Sequence, residues 1–377
     1  MGYQRIVIKI GSSTLTAGSR HISQPRVVDL VKAICQLKKR ETQVMVVSSG
    51  AIAAGREALG FPELPKFLPA KQMLAAIGQP RLMEMYERYF AIYEEKVAQV
   101  LLTRADLTDR RRYLNARSTL EALLNQGVIP IINENDTVAT EEIRFGDNDN
   151  LSAQVASLIE ADLLILLTDQ EGVYDRDPRH DPGATLYRKI ETTEIPAEMW
   201  SAAGGSVSGV GTGGMITKLQ AADLARRAGC AVVIASGADP ANVLRIANGE
   251  EIGTYFSPLF NKIEARKRYI LTINSHKGQI FIDGGAEKAL ARGSSLLPIG
   301  ITSLKGDFER GDAVEVLCGK AKPVALGITN YSARDLLKLI GHQSAQIEAI
   351  LGYTYGDEVI HRNNLVMIQS SERNCDD

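Results

Sequence analysis

The stretch Arg5–Ile10, RIVIKI, is a short run of mostly β-branched residues that is followed at once by the small residues of GSS. Comparable runs recur along the chain: QVMVV at 43–47, VAQVLLT at 97–103, VIPII at 128–132, DLLILLT at 162–168 and AVVIA at 231–235. These runs are nearly continuously apolar, which is typical of parallel strands buried between two layers of helices. Because helical patterns separate the runs, the sequence predicts an α/β fold over residues 1–260, a three-layer αβα sandwich with a mainly parallel sheet.

The chain changes character in its last quarter. From Gly278 onward, short strand-like runs such as QIFID and DAVEVL are separated by glycine-containing breaks. Closely spaced short strands favour a small β-barrel-like module, which we place at residues 276–362. The polar segment 363–377 is predicted to be a flexible tail.

The composition argues against several classes of protein. The 377 residues include 43 Lys plus Arg and 45 Asp plus Glu, so the net charge of -2 provides no global attraction to nucleic acid or to an anionic membrane. Cys35, Cys230, Cys318 and Cys375 are scattered and show no C-x-x-C spacing, which argues against a disulfide framework or a zinc site and favours a reducing cytoplasm. No apolar run reaches the roughly 18 residues that span a bilayer.

Lys9 and the pair Ser49-Gly50 stand at the carboxyl ends of the first two predicted strands, where open parallel sheets bind ligands. A lysine next to the small residue Gly11 can approach a phosphate by charge, together with backbone N–H groups. Small residues at the start of the following helix leave its N–H groups open to an anion. Two structural interpretations compete: Lys9 could snorkel at a strand edge, and the small residues could serve close helix–strand packing.

Two clusters of acidic and amide side chains follow the run VIPII. Asn133 and Asp136 form the first, and Asp147, Asn148 and Asp149 form the second. Carboxylates can hold an ammonium group and amides can hold a carboxylate, so the clusters indicate recognition of a small charged ligand. Some of these residues could instead cap the next helix. A calcium loop is not indicated, because the D-x-D-x-D-G spacing is absent.

A glycine-rich segment at 209–218, GVGTGGMITK, leads into a predicted helix that carries Lys218 in its first turn. The segment matches G-x-G-x-x-G only formally, because no predicted strand precedes it, and the Walker pattern is absent because no Ser or Thr follows Lys218. A glycine-rich loop at a helix N-terminus nevertheless suits nucleotide phosphates, with the lysine reaching the transferred group. Thr168 and Asp169 end a further predicted strand.

Six of these segments together resemble one family, the amino-acid kinases, and within it the branch that phosphorylates glutamate. They occur in the order VIKIGSSTL, VVSSGAIAAG, INENDTVAT, GDNDNLSA, LLTDQEGVY and GTGGMITKLQAA. The resemblance extends from residue 3 to about residue 362, and the C-terminal module is similar to a PUA domain. It implies the amino-acid kinase fold with a PUA appendage.

The resemblance also implies roles for individual residues. Lys9 and Lys218 would flank the transferred phosphoryl group, and Asp149 would orient the two lysines. The implied glutamate site comprises Ser49, Asp136 and Asn148, with Asn133, Asp147 and Gly50 beside them. The implied ATP site comprises Lys9, Gly11, Thr168, Asp169, Thr212, Gly213, Gly214, Met215, Ile216, Thr217 and Lys218.

The implied reaction is ATP-dependent phosphorylation of the γ-carboxylate of L-glutamate to L-glutamyl 5-phosphate, the first step of proline biosynthesis. It needs no general base, because a carboxylate with a pKa of about 4.3 is already ionised at neutral pH. Mg²⁺ would be held mainly by phosphate oxygens and water, and the sequence identifies no protein ligand for it. Further implications are feedback inhibition by proline, glutamate-5-semialdehyde dehydrogenase as a pathway partner, and a homotetramer or homodimer.

Two other functions compete with this interpretation. The first is a kinase of another acidic metabolite, such as N-acetylglutamate or aspartate, which the PUA-like module disfavours. The second is RNA binding through that module. From His276 onward the chain has 11 Lys plus Arg against 13 Asp plus Glu, whereas phosphate binding normally needs clustered basic charge, so RNA binding is not expected as the main role.

Overall fold

The computed structural model describes residues 2–65, 67–139, 148–178, 180–204, 214–271, 276–319 and 322–368. The chain divides into two compact units, residues 1–261 and 262–377. Within the described residues, no helix is both long enough and apolar enough to cross a membrane.

An eight-stranded sheet forms the centre of the first unit, in the order β3-β4-β2-β1-β5-β7-β8-β6. The strands are β1 (Arg5–Ile10), β2 (Gln43–Ser48), β3 (Val97–Leu102), β4 (Ile129–Glu134), β5 (Leu163–Thr168), β6 (Lys189–Ile190), β7 (Ala231–Ser236) and β8 (Thr254–Phe256). All neighbours are parallel except β7 and β8. The predicted, mainly parallel sheet is therefore confirmed.

Helices cover both faces of this sheet. They are α1 (Ser12–Thr16), α2 (Gln24–Lys38), α3 (Ala51–Ala58), α4 (Leu68–Ala91), α5 (Arg104–Thr108), α6 (Arg110–Asn125), α7 (Asn148–Leu158), α8 (Ala197–Ala202), α9 (Met215–Arg227) and α10 (Asn242–Ala247). Val7 of β1 packs into one apolar cluster with residues of α6, α7 and α9, whereas its neighbours Ile6 and Ile8 pack with residues of α2, α4 and α10. Two cores on opposite faces of one sheet confirm the predicted three layers.

Helices α3 and α4 cross with their backbones in close contact, because each helix has a glycine at the crossing point. A Cβ atom on Gly78 would lie 1.8 Å from the carbonyl oxygen of Ala51, and one on Gly55 would lie 2.0 Å from that of Leu74. No larger residue fits at either position. The crossing therefore fixes the middle of α4 against the first residue of α3.

The second unit has its own five-stranded sheet, in the order β10-β9-β11-β12-β13. Its strands are β9 (Gly278–Ile282), β10 (Ile301–Gly306), β11 (Ala313–Cys318), β12 (Lys322–Ile328) and β13 (Leu365–Met367). Its helices are α11 (Lys262–Leu271), α12 (Gly284–Ala291), α13 (Ala333–Leu339) and α14 (Ile347–Leu351), with short 3₁₀ turns at Pro298–Gly300, Ser344–Gln346 and Arg362–Asn364. The sheet is mostly antiparallel, with β9 and β11 as its parallel pair.

The end of the second unit differs from the sequence prediction. Leu365–Met367 pairs with β12, and Leu365 is buried, so a flexible tail cannot begin at residue 363 as predicted. The three-residue strand is too short to give a pattern of its own, which explains why the sequence did not indicate it. Helix α11 lies in the second unit as well, before the predicted start at residue 276.

Candidate active site

Three buried charged side chains meet at the carboxyl edge of the large sheet. Lys9 comes from β1, Asp149 from the first turn of α7, and Lys218 from the first turn of α9. Lys9 Nζ lies 2.7 Å from Asp149 Oδ1, and Lys218 Nζ lies 3.2 Å from Asp149 Oδ2. The side chains of the three residues are 7%, 4% and 11% exposed, in the order Lys9, Asp149, Lys218. One carboxylate thus holds two ammonium groups out of bulk water.

The electrostatics of this cluster favour a bound anion. Burial alone would raise the pKa of Asp149, but the charges of Lys9 and Lys218, together with hydrogen bonds from Lys9 and Thr217, outweigh it and lower the pKa from 3.8 to about 2. Burial, with the nearby charge of Lys9, lowers the pKa of Lys218 despite the attraction of Asp149. Two cations share a single counter-charge, so a negatively charged group arriving beside them would be stabilised.

Glycines make room for this arrangement. A Cβ on Gly11 would lie 3.3 Å from Lys9 Nζ, so the lysine ammonium group rests against a position without a side chain. Gly214 begins α9 with φ 94° and ψ -144°, a conformation that few other residues adopt. Thr217 Oγ1 donates to Asp149 Oδ2 at 2.7 Å and lies 2.9 Å from the carbonyl oxygen of Gly214.

Polar side chains from β4, from α7 and from Ser49, the residue after β2, meet next to the charged cluster. Asn148 Nδ2 donates to Ser49 Oγ at 2.9 Å and to Asn133 Oδ1 at 2.9 Å. Asn148 Oδ1 is buried and has no hydrogen-bond partner in the part of the chain that the structure describes. Gly50 lies beside Ser49 with φ 107°, where a Cβ would lie 2.7 Å from Leu15 Cδ1.

Asp136 follows β4 as a half-buried carboxyl group. Burial raises its pKa to about 6, and no ion-pair partner is present among the residues described. A carboxylate in this state gains most from a ligand that brings its own positive charge.

A cavity of about 320 Å³ adjoins the charged cluster at Lys218. Its lining includes five residues of the predicted nucleotide site: Thr168, Asp169, Gly214, Met215 and Lys218. Four other described residues of that predicted site do not line it: Lys9 and Gly11 at the end of β1, the buried Ile216, and Thr217, whose hydroxyl faces Asp149. Asp147, Thr212 and Gly213 lie outside the described residues.

Several lining residues were missed by the sequence analysis. Tyr174, Arg176 and Ala203 belong to this group, with Gln170, Val173, Asp177, Pro178, Ala202 and Gly204. The motif LLTDQEGVY ends at Tyr174, so it signals the start of this loop but not Arg176. The loop that contains Tyr174 and Arg176 and the end of α8 come close to α9 only in the folded chain. The spacing of residues along the sequence therefore does not predict this contact.

The described residues contain no cluster of three or more His, Cys, Asp or Glu side chains that could hold a metal ion. Asp149, the buried carboxylate nearest the cavity-lining Lys218, is already engaged by two ammonium groups. The donor set described here therefore does not fit an all-protein metal cage.

Comparison with known proteins finds two family models in the chain. The amino acid kinase family model matches residues 4–236, which is more than half of the chain. The PUA domain model matches residues 278–351.

Similar proteins match the chain over nearly its whole length. A protein of Shewanella woodyi named glutamate 5-kinase is 50% identical over 369 residues, covering 98% of this chain and 99% of the relative. A glutamate 5-kinase of Deinococcus radiodurans is 50% identical over 365 residues, covering 97% of this chain and 100% of the relative. One from Photobacterium profundum is 52% identical over 366 residues, covering 97% and 96%.

The substitution Asp149→Asn tests the charge balance of the cluster. It retains the shape of the side chain but leaves two buried ammonium groups without their shared counter-charge. We expect the free energy of unfolding at pH 7 to fall by about 3–5 kcal/mol. Urea unfolding followed by the fluorescence of Trp200, the chain's single tryptophan, measures the change in the first unit.

The control is Glu250→Gln, which removes the partner of Arg245 in an ion pair whose two side chains are about half exposed. Its effect should stay below about 1 kcal/mol. Adding Lys9→Met to Asp149→Asn should restore part of the lost stability by removing one of the two repelling charges. Equal effects of Asp149→Asn and Glu250→Gln would contradict the account. Because the pKa of Asp149 is lowered in the folded state, its contribution is present above pH 3.8 and is lost as the pH falls toward 2.

Proposed function

The chain belongs to the amino acid kinase family, in its glutamate 5-kinase branch, and we propose that its buried cluster of Lys9, Asp149 and Lys218 performs the phosphoryl transfer. The reaction is the ATP-dependent phosphorylation of the γ-carboxylate of L-glutamate to L-glutamyl 5-phosphate, the first step of proline biosynthesis. The observation that supports this most strongly is that the cluster contacts both regions: Lys218 lines the 320 Å³ cavity, and Asp149, which pairs with Lys218, directly follows Asn148 in the chain.

Charge is the main obstacle to this reaction. The attacking γ-carboxylate is ionised at neutral pH, so no general base is required, but it must approach an anionic phosphoryl group. Lys218 lines the cavity and Lys9 lies on the other oxygen of Asp149, so the two ammonium groups are held as a preformed pair. Fixed charges of this kind stabilise the negative charge that develops on the transferred group without reorganising during the reaction.

ATP is the co-substrate, and we place its phosphates beside Lys218 and the N-terminus of α9. Thr168, Asp169, Gly214 and Met215 line the same cavity. Its volume of about 320 Å³ lies at the lower end of the range typical of small-molecule sites. Backbone N–H groups at the start of α9 suit phosphate oxygens.

Glutamate would occupy the opposite side of the cluster. Asp136 and the unpartnered Asn148 Oδ1 are two acceptors for its α-ammonium group. The first turn of α3, which follows Ser49 and Gly50, offers backbone N–H groups for a carboxylate. A substrate with a blocked amino group, such as N-acetylglutamate, would lose the charge that Asp136 is placed to meet.

Mg²⁺ is proposed to arrive with the nucleotide, held by phosphate oxygens and water. When bound, the ion offsets charge on the phosphate oxygens.

Further proposals concern the pathway partner, the regulation, the oligomeric state and the location of the enzyme. Glutamyl phosphate is an acyl phosphate that water hydrolyses, which favours passage to glutamate-5-semialdehyde dehydrogenase. Feedback inhibition by proline at the glutamate site, a homotetramer or homodimer, and a cytoplasmic location follow from the family branch. Cys35, Cys230 and Cys318 take part in no disulfide within the described residues, which is compatible with a reducing compartment. RNA binding by the PUA domain is not proposed as the main role.

A hydroxamate assay tests the proposed reaction directly. With ATP and hydroxylamine present, only an acyl phosphate product is trapped as the hydroxamate. We expect L-glutamate to give the highest kcat/KM among L-glutamate, N-acetyl-L-glutamate and L-aspartate. A preference for either of the other two would assign the protein to a different kinase of this family.

The raised pKa of Asp136 predicts a pH dependence for glutamate binding. Only the ionised carboxylate holds an ammonium group, and the free enzyme loses that form as the pH falls through about 6. The kcat/KM for glutamate should therefore decrease up to about tenfold per pH unit below pH 6, because this ratio reports groups of the free enzyme. In Asp136→Asn the ratio should be low at all pH values and the inflection near pH 6 should disappear. An unchanged inflection in this variant would remove Asp136 from glutamate recognition.

A further inference from the structure

A chain of side-chain amides runs inward from the edge of the large sheet to Asn148. Gln79 of α4 offers Nε2 to Gln99 Oε1 at 3.5 Å and accepts at Oε1 from Asn133 Nδ2 at 2.8 Å. Asn133 Oδ1 in turn accepts from Asn148 Nδ2 at 2.9 Å. Gln79, Asn133 and Asn148 are each at most 9% exposed, whereas Gln99 is exposed.

One backbone group determines the direction of the whole chain. The backbone N–H of Glu134 donates to Asn133 Oδ1 at 2.9 Å, and a backbone N–H can only donate. The atom facing it must therefore be the oxygen of Asn133, which leaves the NH₂ group of Asn133 facing Gln79 and requires an acceptor there. Because Asn133 Oδ1 can only accept, the atom of Asn148 that faces it must be the NH₂ group.

The consequence appears at the far end of the chain. With its NH₂ group committed to Asn133 and Ser49, Asn148 presents its carbonyl oxygen as a buried acceptor without a partner among the described residues. An acceptor in this state gains from a donor supplied by a ligand. The α-ammonium group of an amino acid is such a donor.

Gln79 is held in place by the backbone around it. It follows Gly78, whose contact with the carbonyl oxygen of Ala51 fixes α4 against the start of α3. The position of its side chain beside β4 is therefore fixed. There it contacts Asn133, which lies 54 residues further along the chain. No motif of the sequence includes it.

We propose that Gln79 is a positioning residue for substrate recognition: its Oε1 anchors the amide of Asn133, whose orientation the N–H of Glu134 sets, and thereby keeps the carbonyl oxygen of Asn148 directed toward the α-ammonium group of the substrate. The proposal rests on glutamate as the substrate. It makes Gln79 a determinant of selectivity for a free amino group, although Gln79 does not touch the substrate itself.

Loss of the acceptor at Gln79 has a defined effect. Asn133 Nδ2 would become a buried donor without a partner, which is costly enough to move the side chain toward another acceptor, although the N–H of Glu134 still favours the same orientation of the amide. Asn133 Oδ1 would then no longer hold Asn148 Nδ2. The carbonyl oxygen of Asn148 would lose its fixed direction, and the enzyme would bind the amino group of the substrate more weakly.

Two variants separate the acceptor from the volume of the side chain. Gln79→Met retains the length of the side chain and removes the acceptor. Gln79→Glu retains an acceptor oxygen for Asn133, and the exposed side chain of Gln99 can turn its own NH₂ group to the second carboxylate oxygen. Gln79→Leu repeats the test if the methionine variant does not fold.

The readouts are KM for glutamate, KM for ATP, kcat, and the inhibition constant of glutarate, which has both carboxylates of glutamate but no amino group. In Gln79→Met we expect KM for glutamate to rise roughly tenfold, with the other three values within about twofold of the wild type. Gln79→Glu should stay within about threefold of the wild type in all four values.

Two results would overturn the proposal. One is an unchanged KM for glutamate in Gln79→Met. The other is an equal weakening of glutamate and glutarate, which would indicate general loosening of the site. A wild-type protein that does not phosphorylate glutamate would instead refute the proposed function, so the two failures are distinguishable.

Discussion

The carboxylate of Asp149 lies between two buried ammonium groups, and the rest of the site depends on this arrangement. Lys9 and Lys218 are separated by 209 positions in the chain, yet both lie within 3.2 Å of one side chain. Two like charges in a buried position repel strongly unless an opposite charge stands between them. The fold meets this requirement by bringing β1, α7 and α9 together at the carboxyl edge of one parallel sheet.

The two sides of this cluster use different chemistry. Toward the cavity, the site offers positive charge and a glycine-rich helix start, which suit a polyanion such as ATP. Around Asn148, it offers a chain of neutral amides whose direction one backbone N–H determines, and the carboxyl group of Asp136 follows the strand that carries Asn133. Neutral amides select by hydrogen-bond direction and do not disturb the charge balance that Asp149 maintains.

Much of this architecture could be predicted from the sequence, because strong local patterns carry it. The apolar run at Arg5–Ile10 forms β1 with the predicted bounds, and Lys9 and Lys218 lie at predicted positions. Gln79 could not be predicted, because its role depends on a contact with Asn133 that arises only where Gly78 lets two helices approach. The cavity residue Arg176 could not be predicted for the same reason, since the approach of a loop over a long sequence distance leaves no periodic signal. Strand β13 was not predicted because its three residues are too few to show a pattern.

The most direct test of the central claim is the kcat of Lys218→Ala, measured at saturating ATP and glutamate on protein whose Trp200 unfolding transition matches that of the wild type. If the ammonium groups held by Asp149 act on the transferred phosphoryl group, kcat falls by about 10²-fold or more, as expected for loss of a fixed charge that acts in the transition state. The KM for glutamate changes by less than about threefold, because Lys218 faces the nucleotide cavity. An unchanged kcat would contradict the account.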